Sequence, residues 1–267
     1  MASRSEKYDR IGAGYNRTRQ TDPYLLERLL FHLQPVNGGR YLDIGCGTGN
    51  YTIALHRAGI NFIGVDPSEE MLDIARRRCE TIEWKRGKAE SLPLEDETVD
   101  GTIASLTIHH WVSLEKGFQE LARALKPGGR VVIFTSTPEQ MQGYWLNHYF
   151  PKMMEDSMVQ MPASEVVVEA MKQGGLEVTG FEKYFVQPGL KDLFLYSGKH
   201  QPTLYFDPIV RGGISSFSSL ANRQEVERGL ARLKRDMDSG KMDEVAGRYR
   251  NERGDYLFVF GRSIRDQ

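Results

Sequence analysis

A short strand-like run, Arg40 to Ile44, passes directly into Gly45-Cys46-Gly47-Thr48-Gly49 and then into a stretch carrying Ile53, Ala54 and Leu55. Three glycines on alternate positions between a strand and a helix restrict the fold more than any other feature of the chain. Glycine alone lets a backbone approach a ligand this closely while its amides stand at a helix N-terminus. The turn reads as one end of a nucleotide-type cradle, although Gly45 and Gly47 would also suit a bare βα connection.

The flanking sequence supplies a sheet for that turn. A second strand over 61–65 ends at Asp66-Pro67-Ser68, where Ser68 is placed to cap a helix carrying Met71, Leu72 and Ala75. A weaker strand covers 81–86, and a largely uncharged one over 99–106 suggests burial on both faces. Ser113 opens a helix with Leu114, Phe118, Leu121 and Leu125 at helical spacing, and Pro127-Gly128-Gly129 is expected to stop it before a strand over 130–135. A helix over 164–173 and strands over 176–186 and 254–261 complete the rhythm. This punctuation predicts an α/β fold, a mostly parallel sheet with helices on both faces.

Two intervals fall outside it. The first, 138–162, is crowded with Met and aromatic residues. The second separates the last two strands by more than 60 residues and holds its own helix, since Asn222 followed by Glu225 signals a capping box and Val226, Leu230, Leu233 and Met237 share a face. Both read as caps over one edge of the sheet.

Charge narrows the partners. Lys and Arg number 35 against 36 Asp and Glu, so the chain lacks the global positive field of a protein that grips nucleic-acid backbone. Two cysteines, Cys46 and Cys79, are too few for a disulfide framework and suit a reducing compartment. The first residues run into charge and no 18-residue apolar run occurs, so a cytoplasmic protein without a transmembrane segment is expected.

Asp43 says more about the ligand than the glycines do. A carboxylate two residues before Gly45 would oppose a pyrophosphate but accept a hydrogen bond from an ammonium group. No Gly-Lys-Ser/Thr follows, which removes the P-loop, and Asn50 stands where a dinucleotide fingerprint wants a small residue. Asp66, 19 residues past Gly47, is positioned to accept from ribose hydroxyls, or to serve the turn before Pro67. A ligand with a cationic amino acid at one end and a nucleoside at the other fits both carboxylates.

Here the chain resembles a family. Tyr41-Leu42-Asp43-Ile44-Gly45-Cys46-Gly47-Thr48-Gly49 is similar to the first motif of the class I S-adenosylmethionine-dependent methyltransferases. Gly64-Val65-Asp66-Pro67-Ser68, Ala89-Glu90-Ser91-Leu92-Pro93-Leu94, Val99-Asp100, His109-His110-Trp111 and Leu125-Lys126-Pro127-Gly128-Gly129-Arg130 continue the match. The set, over about residues 8 to 136, resembles the type 11 small-molecule branch, similar to the ubiquinone and menaquinone biosynthesis methyltransferases. The resemblance implies a Rossmann-like seven-stranded, mostly parallel sheet with an antiparallel last strand, plus helical cap insertions. It implies S-adenosyl-L-methionine as cofactor and S-adenosyl-L-homocysteine as product. By position, Asp43, Gly45, Cys46 and Gly47 would hold the methionine portion, Asp66 and Pro67 the ribose side, Ala89 and Glu90 the adenine, and Leu106 the region under the sulfonium. Tyr15 and Arg19, with Tyr8 nearby, resemble an N-terminal lid, Arg19 facing the methionine carboxylate and Tyr15 the methyl group. The expected organisation is then 1–36 lid and first helix, 37–136 cofactor-binding core, 137–163 first cap insertion, 164–188 core continuation, 189–250 second cap insertion, and 251–267 final strand and tail.

Methyl transfer from a sulfonium asks mainly for alignment, exclusion of water and, for some acceptors, removal of a proton. His110 and His109 follow the fourth strand at the carboxyl edge, where either could act as base, and Trp111 could wall the acceptor. Tyr144, Trp145 and His148 are candidate acceptor-pocket residues, or ordinary packing of a Met and aromatic stripe. Thr107, His109, Ser136 and Thr137 replace the carboxylates of a catechol-type metal site, so no metal is expected. The sequence thus favours a small-molecule acceptor. An RNA or protein methyltransferase using Arg76–Arg78 or Arg228–Arg235, and a noncatalytic cofactor-binding module, remain open, as does monomer against homodimer.

Overall fold

The computed structural model describes residues 18–264. Seven strands, β1 (Arg40–Ile44), β2 (Asn61–Asp66), β3 (Glu83–Arg86), β4 (Val99–Ser105), β5 (Leu125–Thr135), β6 (Leu176–Tyr184) and β7 (Tyr256–Ser263), form one sheet in the order β3-β2-β1-β4-β5-β7-β6. The first five pair in parallel, and β7 enters antiparallel between β5 and β6. This is the mostly parallel sheet with a reversed last strand that the sequence implied. Side chains of β1 and β2 are buried on both faces, which is why these strands read as unbroken apolar runs.

Helices α1 (Pro23–Leu33), α2 (Asn50–Arg57), α3 (Glu69–Arg78) and α4 (Leu114–Ala124) flank the first half of the sheet. Their starts follow local chemistry. Asp22, Ser68 and Ser113 each turn a side-chain oxygen onto the amide three residues on, at 2.9, 3.3 and 3.2 Å. The predicted stop at Pro127-Gly128-Gly129 is placed differently: α4 ends at Ala124, and those residues lie inside β5, whose pairing with β4 slips between Val99 and Gly101. Gly128, at φ +72°, takes up that irregularity. β6 ends at Tyr184 rather than 186, because the Val186 amide donates to an Asp255 carboxylate oxygen at 2.7 Å instead of to a neighbouring strand.

The first interval folds as α5 (Pro138–Met141), α6 (Leu146–Tyr149) and α7 (Pro151–Gln160), followed by α8 (Ser164–Gln173) against the sheet. The second holds α9 (Pro208–Gly212), a π-helical turn over Ser216–Leu220, α10 (Arg223–Asp238) and α11 (Met242–Arg248). The two intervals share a single apolar cluster with one face of the sheet. Tyr144 stacks on Tyr196 with centroids 4.0 Å apart, Trp145 meets Tyr205 edge-on at 5.6 Å, and Phe150 meets Phe217 at 5.0 Å. Aromatic side chains buried this way contribute roughly 1.5–3 kcal/mol each. Gly229 lets α10 lie on this layer, since a Cβ there would stand 2.4 Å from the Phe150 ring. The other sheet face packs Phe118 and Leu121 of α4 and Val167 and Met171 of α8 into a second cluster. Among the described residues no helix is long and apolar enough to cross a membrane.

Candidate functional site

The strand order reverses between β1 and β4, and loops leaving the carboxyl ends of β1, β2, β4 and β5 part around a crevice there, the usual ligand position in an open α/β sheet. A cavity of about 210 Å³ occupies it, with a smaller one of about 50 Å³ beside it. Gly45, Gly47, Ser105 and Arg19 line both, so the two chambers adjoin across the glycine turn.

The turn has left-handed backbone at Gly45 (φ +73°), Gly47 (φ +54°) and Gly49 (φ +78°). A Cβ at Gly45 would meet the Thr107 Oγ1 at 2.0 Å and one at Gly49 the Trp84 ring at 2.4 Å, so these two glycines also answer to packing. A Cβ at Gly47 would meet nothing within 4 Å, and it borders both cavities. Gly47 thus keeps its backbone open to whatever fills the crevice.

Two buried carboxylates flank the turn. Asp66 accepts from the Gly47 amide at 2.8 Å through one oxygen and from the Ser68 amide at 2.9 Å through the other. It fixes the turn and lines the larger cavity, and each oxygen keeps a lone pair for a further donor. Burial raises its pKa, opposed by those two amides. Asp43, 5% exposed, borders the smaller cavity and accepts from the Thr52 hydroxyl at 2.6 Å. Burial pushes its carboxyl up to about 7, with Thr52 opposing and Asp66 adding to the rise. The Cys46 thiol is held well above its ordinary pKa by burial and by both carboxylates, which makes it a poor nucleophile.

Arg19 forms an ion pair with Asp192, whose carboxylate is almost fully buried and also accepts from the Tyr51 hydroxyl at 3.1 Å. An antiparallel bridge joins Arg19 to Asp192, and the Leu193 amide donates to the Thr18 carbonyl at 2.8 Å. The chain just before α1 is thereby stitched to the second interval over the small cavity. Leu106 lines the large cavity with φ +51°, an unfavourable backbone for a leucine, held by its amide donating to the Phe134 carbonyl at 2.7 Å.

His109 and His110 line the large cavity from a 3-10 turn, their ring centroids 3.9 Å apart. Ser136 and Tyr256 border it from the sheet. Met141, Ser157, Gln160 and Met161 come from the first interval, and Phe194, Leu195, Ile214, Ser216, Ser219 and Leu220 from the second. Among the described residues no three His, Cys, Asp or Glu side chains gather in a way that could hold a metal ion.

Of the residues expected from sequence, the fold brings together Arg19, Asp43, Gly45, Cys46, Gly47, Asp66, Pro67, Leu106, His109 and His110 around these cavities. Others are placed away from the lining. Ala89 is buried in the sheet-side cluster, and the Glu90 carboxylate accepts from the Val112 and Ser113 amides at 2.6 and 3.2 Å, pinning the chain after the histidines. Trp111 packs over Gly117 and edge-on to Phe118. Tyr144 is buried with its hydroxyl on the Asp255 carbonyl, Trp145 is buried beside it, and His148 pairs with Arg232. Tyr8 and Tyr15 lie outside the described residues. Sequence reasoning missed Asp192, Tyr51, Ser157, Gln160, Phe194 and Tyr256. Met141 and Met161, which also line the large cavity, were signalled only as members of the Met and aromatic interval 138–162.

Residues 42–133 match a family described as a methyltransferase domain. The chain is 33% identical over 172 residues to a demethylmenaquinone methyltransferase of Clavibacter sepedonicus, covering 60% of this chain and 69% of that protein. It is 35% identical over 130 residues to a malonyl-[acyl-carrier protein] O-methyltransferase of Erwinia pyrifoliae, which spans 49% of this chain and 50% of the relative. The crystal structure of a putative methyltransferase from an antibiotic biosynthesis pathway of Anabaena variabilis superimposes with a TM-score of 0.79 at 34% identity, covering 92% of this chain and 99% of that one. Together with the glycine turn and its two carboxylates, these likenesses show that the chain belongs to the S-adenosylmethionine-dependent methyltransferases.

Proposed function

We propose that this enzyme methylates a small organic acceptor without a metal ion, by aligning the acceptor in the large cavity. The observation that carries the reading is continuity: Gly47 and Asp66 line the same cavity as the serine and apolar wall from both intervals. A cofactor held at the glycine turn and an acceptor held at that wall share one enclosure.

The residues present fit the cofactor. Asp43 is a buried carboxylate whose charge is unfavourable until a cation arrives, which suits a methionine ammonium. Asp66 retains acceptor capacity for ribose hydroxyls, and Arg19, steered by Asp192, supplies the positive charge that a carboxylate removed from water needs. When bound, S-adenosylmethionine supplies an electrophilic methyl group on a sulfonium that departs neutral. The chain's own task is then positioning and exclusion of water, with Leu106 forming the floor and Met141, Met161 and Phe194 closing the apolar side. His109 or His110 takes a proton where the acceptor must lose one.

The arginines that would support a nucleic-acid or protein track are dispersed among local partners. Arg76 pairs with Glu69 and Asp73, Arg78 donates to the Thr48 carbonyl and the Asn50 side chain, and Arg232 turns to His148. This favours the small acceptor. The test offers methyl-labelled cofactor to EDTA-dialysed protein together with a metabolite pool, RNA and a protein extract. Label is expected in the small-molecule fraction. Label confined to macromolecules would overturn the acceptor class, and turnover recovered only on adding Mg²⁺ would overturn metal independence.

A further inference from the structure

Asn50 stands where a dinucleotide fingerprint would carry a small residue, and the fold puts its side chain to use. It is the first residue of α2, directly after the glycine turn, and it borders the small cavity together with Arg19. Its Nδ2 donates to the Arg19 carbonyl at 2.5 Å, and its Oδ1 accepts from the Arg78 guanidinium at 2.6 Å. Chemistry fixes the direction of both contacts. A guanidinium can only donate and a backbone carbonyl can only accept, so the amide oxygen faces Arg78 and the amide nitrogen faces Arg19. Arg78 reaches the turn from the last residue of α3, where the same guanidinium nitrogen donates to the Thr48 carbonyl at 2.7 Å. A further tie runs from the Thr21 hydroxyl to the Asn50 carbonyl at 2.9 Å.

The chain just before α1 is thus held from two sides. Asp192 and Leu193 fasten it to the second interval, and Asn50 fastens it to the cofactor turn. Arg19 stands between these anchors and lines both cavities. The Asp192 carboxylate steers the guanidinium, while Asn50 sets where the Arg19 backbone lies relative to Gly45 and Gly47. Without the second anchor, Arg19 would follow the second interval and lose its register with the turn that carries the methionine portion of the cofactor.

We propose that Asn50, oriented by Arg78, is a positioning residue that registers Arg19 against the glycine turn, so that the Arg19 side chain meets the cofactor's carboxylate. The inference rests on the Arg19 reading above and adds the residues that act through it. It also gives Arg78 a task at the cofactor turn, away from any basic track.

The test titrates S-adenosylmethionine and its decarboxylated form calorimetrically into the full chain. The second ligand keeps the ammonium, the sulfonium and the nucleoside and lacks only the carboxylate. Asn50→Ala should weaken S-adenosylmethionine by roughly three- to tenfold, the scale of a single hydrogen bond, and leave the decarboxylated ligand unchanged. Alanine suits the first turn of a helix, so α2 keeps its start. Asn50→Asp keeps the Arg78 contact and loses the donor, and it should bind S-adenosylmethionine no better than Asn50→Ala does. In an Arg19→Ala background the Asn50→Ala change should cost nothing further, because residues that act through one another are not additive. Equal losses for the two ligands would mark a merely structural role and overturn the proposal. Affinity restored by Asn50→Asp would overturn it too, as would an additive loss in the double variant, which would place Asn50 directly on the cofactor. An unaltered affinity in Arg19→Ala would sink the Arg19 reading and this inference with it, whereas a loss in Arg19→Ala with none in Asn50→Ala would sink this inference alone.

Discussion

Cofactor affinity should depend on pH through Asp43. Its carboxyl is fully enclosed, and burial raises it from an ordinary value of 3.8 to about 7 in the ligand-free protein. An ammonium group brought against it reverses the balance, because a nearby opposite charge favours the ionised form. The bound state therefore keeps Asp43 ionised where the free state does not. A group with a pKa of about 7 is about 10% ionised at pH 6 and about 75% ionised at pH 7.5, so affinity for S-adenosylhomocysteine should be about eightfold weaker at pH 6, roughly 1.2 kcal/mol. Binding at pH 6 should also release about 0.9 of a proton, falling to about 0.5 at pH 7.

Calorimetric titration in buffers of unlike ionisation enthalpy reads both quantities. Asp43→Asn should weaken binding by about 1.5–3 kcal/mol and flatten most of the pH dependence. A residual slope in the same direction is expected from Asp66, whose carboxyl is also raised by burial. The stability of the ligand-free protein carries the opposite sign. Because folding raises the Asp43 pKa, its contribution to stability is fully present below about pH 4 and is lost as pH climbs through about 7, a change on the order of 4 kcal/mol. The rise in thermal midpoint caused by S-adenosylhomocysteine should accordingly be larger at pH 7.5 than at pH 6. Affinity that is level from pH 5.5 to 7.5 without proton release would refute the reasoning, as would an Asp43→Asn protein with an unaltered slope.

Gly47→Ala should leave the thermal midpoint within a few degrees, at about 1 kcal/mol for left-handed alanine, yet weaken S-adenosylhomocysteine binding at least tenfold. Gly45→Ala, whose Cβ would fall 2.6 Å from the Thr107 Cβ, should instead lower the midpoint by more than Gly47→Ala does, and equal effects in the two proteins would contradict the division of labour within the turn. Asp192→Asn removes the charge that holds Arg19 and should raise the KM for the cofactor with kcat little changed; a fall in kcat alone would assign Asp192 a different role.

The cofactor side was legible because its determinants are local or fixed by strand register. Asp43, Gly45 and Gly47 belong to one βα unit, Asp66 ends the next strand, and parallel pairing of β1 with β2 and β4 brings these ends and Leu106 to one edge. Asp192 carried no such signal. It sits in irregular chain, and only tertiary folding sets it against Arg19 and Tyr51. For the conspicuous side chains of the first interval, the structure shows the packing alternative. Tyr144, Trp145 and His148 went to the interface between the two intervals, where large rings bury most surface, and the cavity was left to serines and isolated methionines. Small polar residues show no periodicity, so nothing in the sequence ranked them above a surface loop.

Glu225 illustrates how local pattern and tertiary structure part company at that wall. Asn222 and Glu225 read as a reciprocal cap, and half of it forms: the Asn222 side chain accepts from the Glu225 amide at 2.8 Å. The Glu225 carboxylate turns to a different helix and accepts from the Lys152 and Met153 amides at 2.8 and 3.1 Å, at the N-terminus of α7. α7 starts from Phe150 without a side-chain cap of its own, so a buried carboxylate from α10 satisfies two of its unpaired amides and favours its dipole. This anchors α7 to the start of α10, a few residues beyond the π-helical turn. Ser157 and Gln160 are carried on that helix, and Ser216 on that turn. The spacing of these cavity-lining residues is thus braced by a glutamate that lines neither cavity.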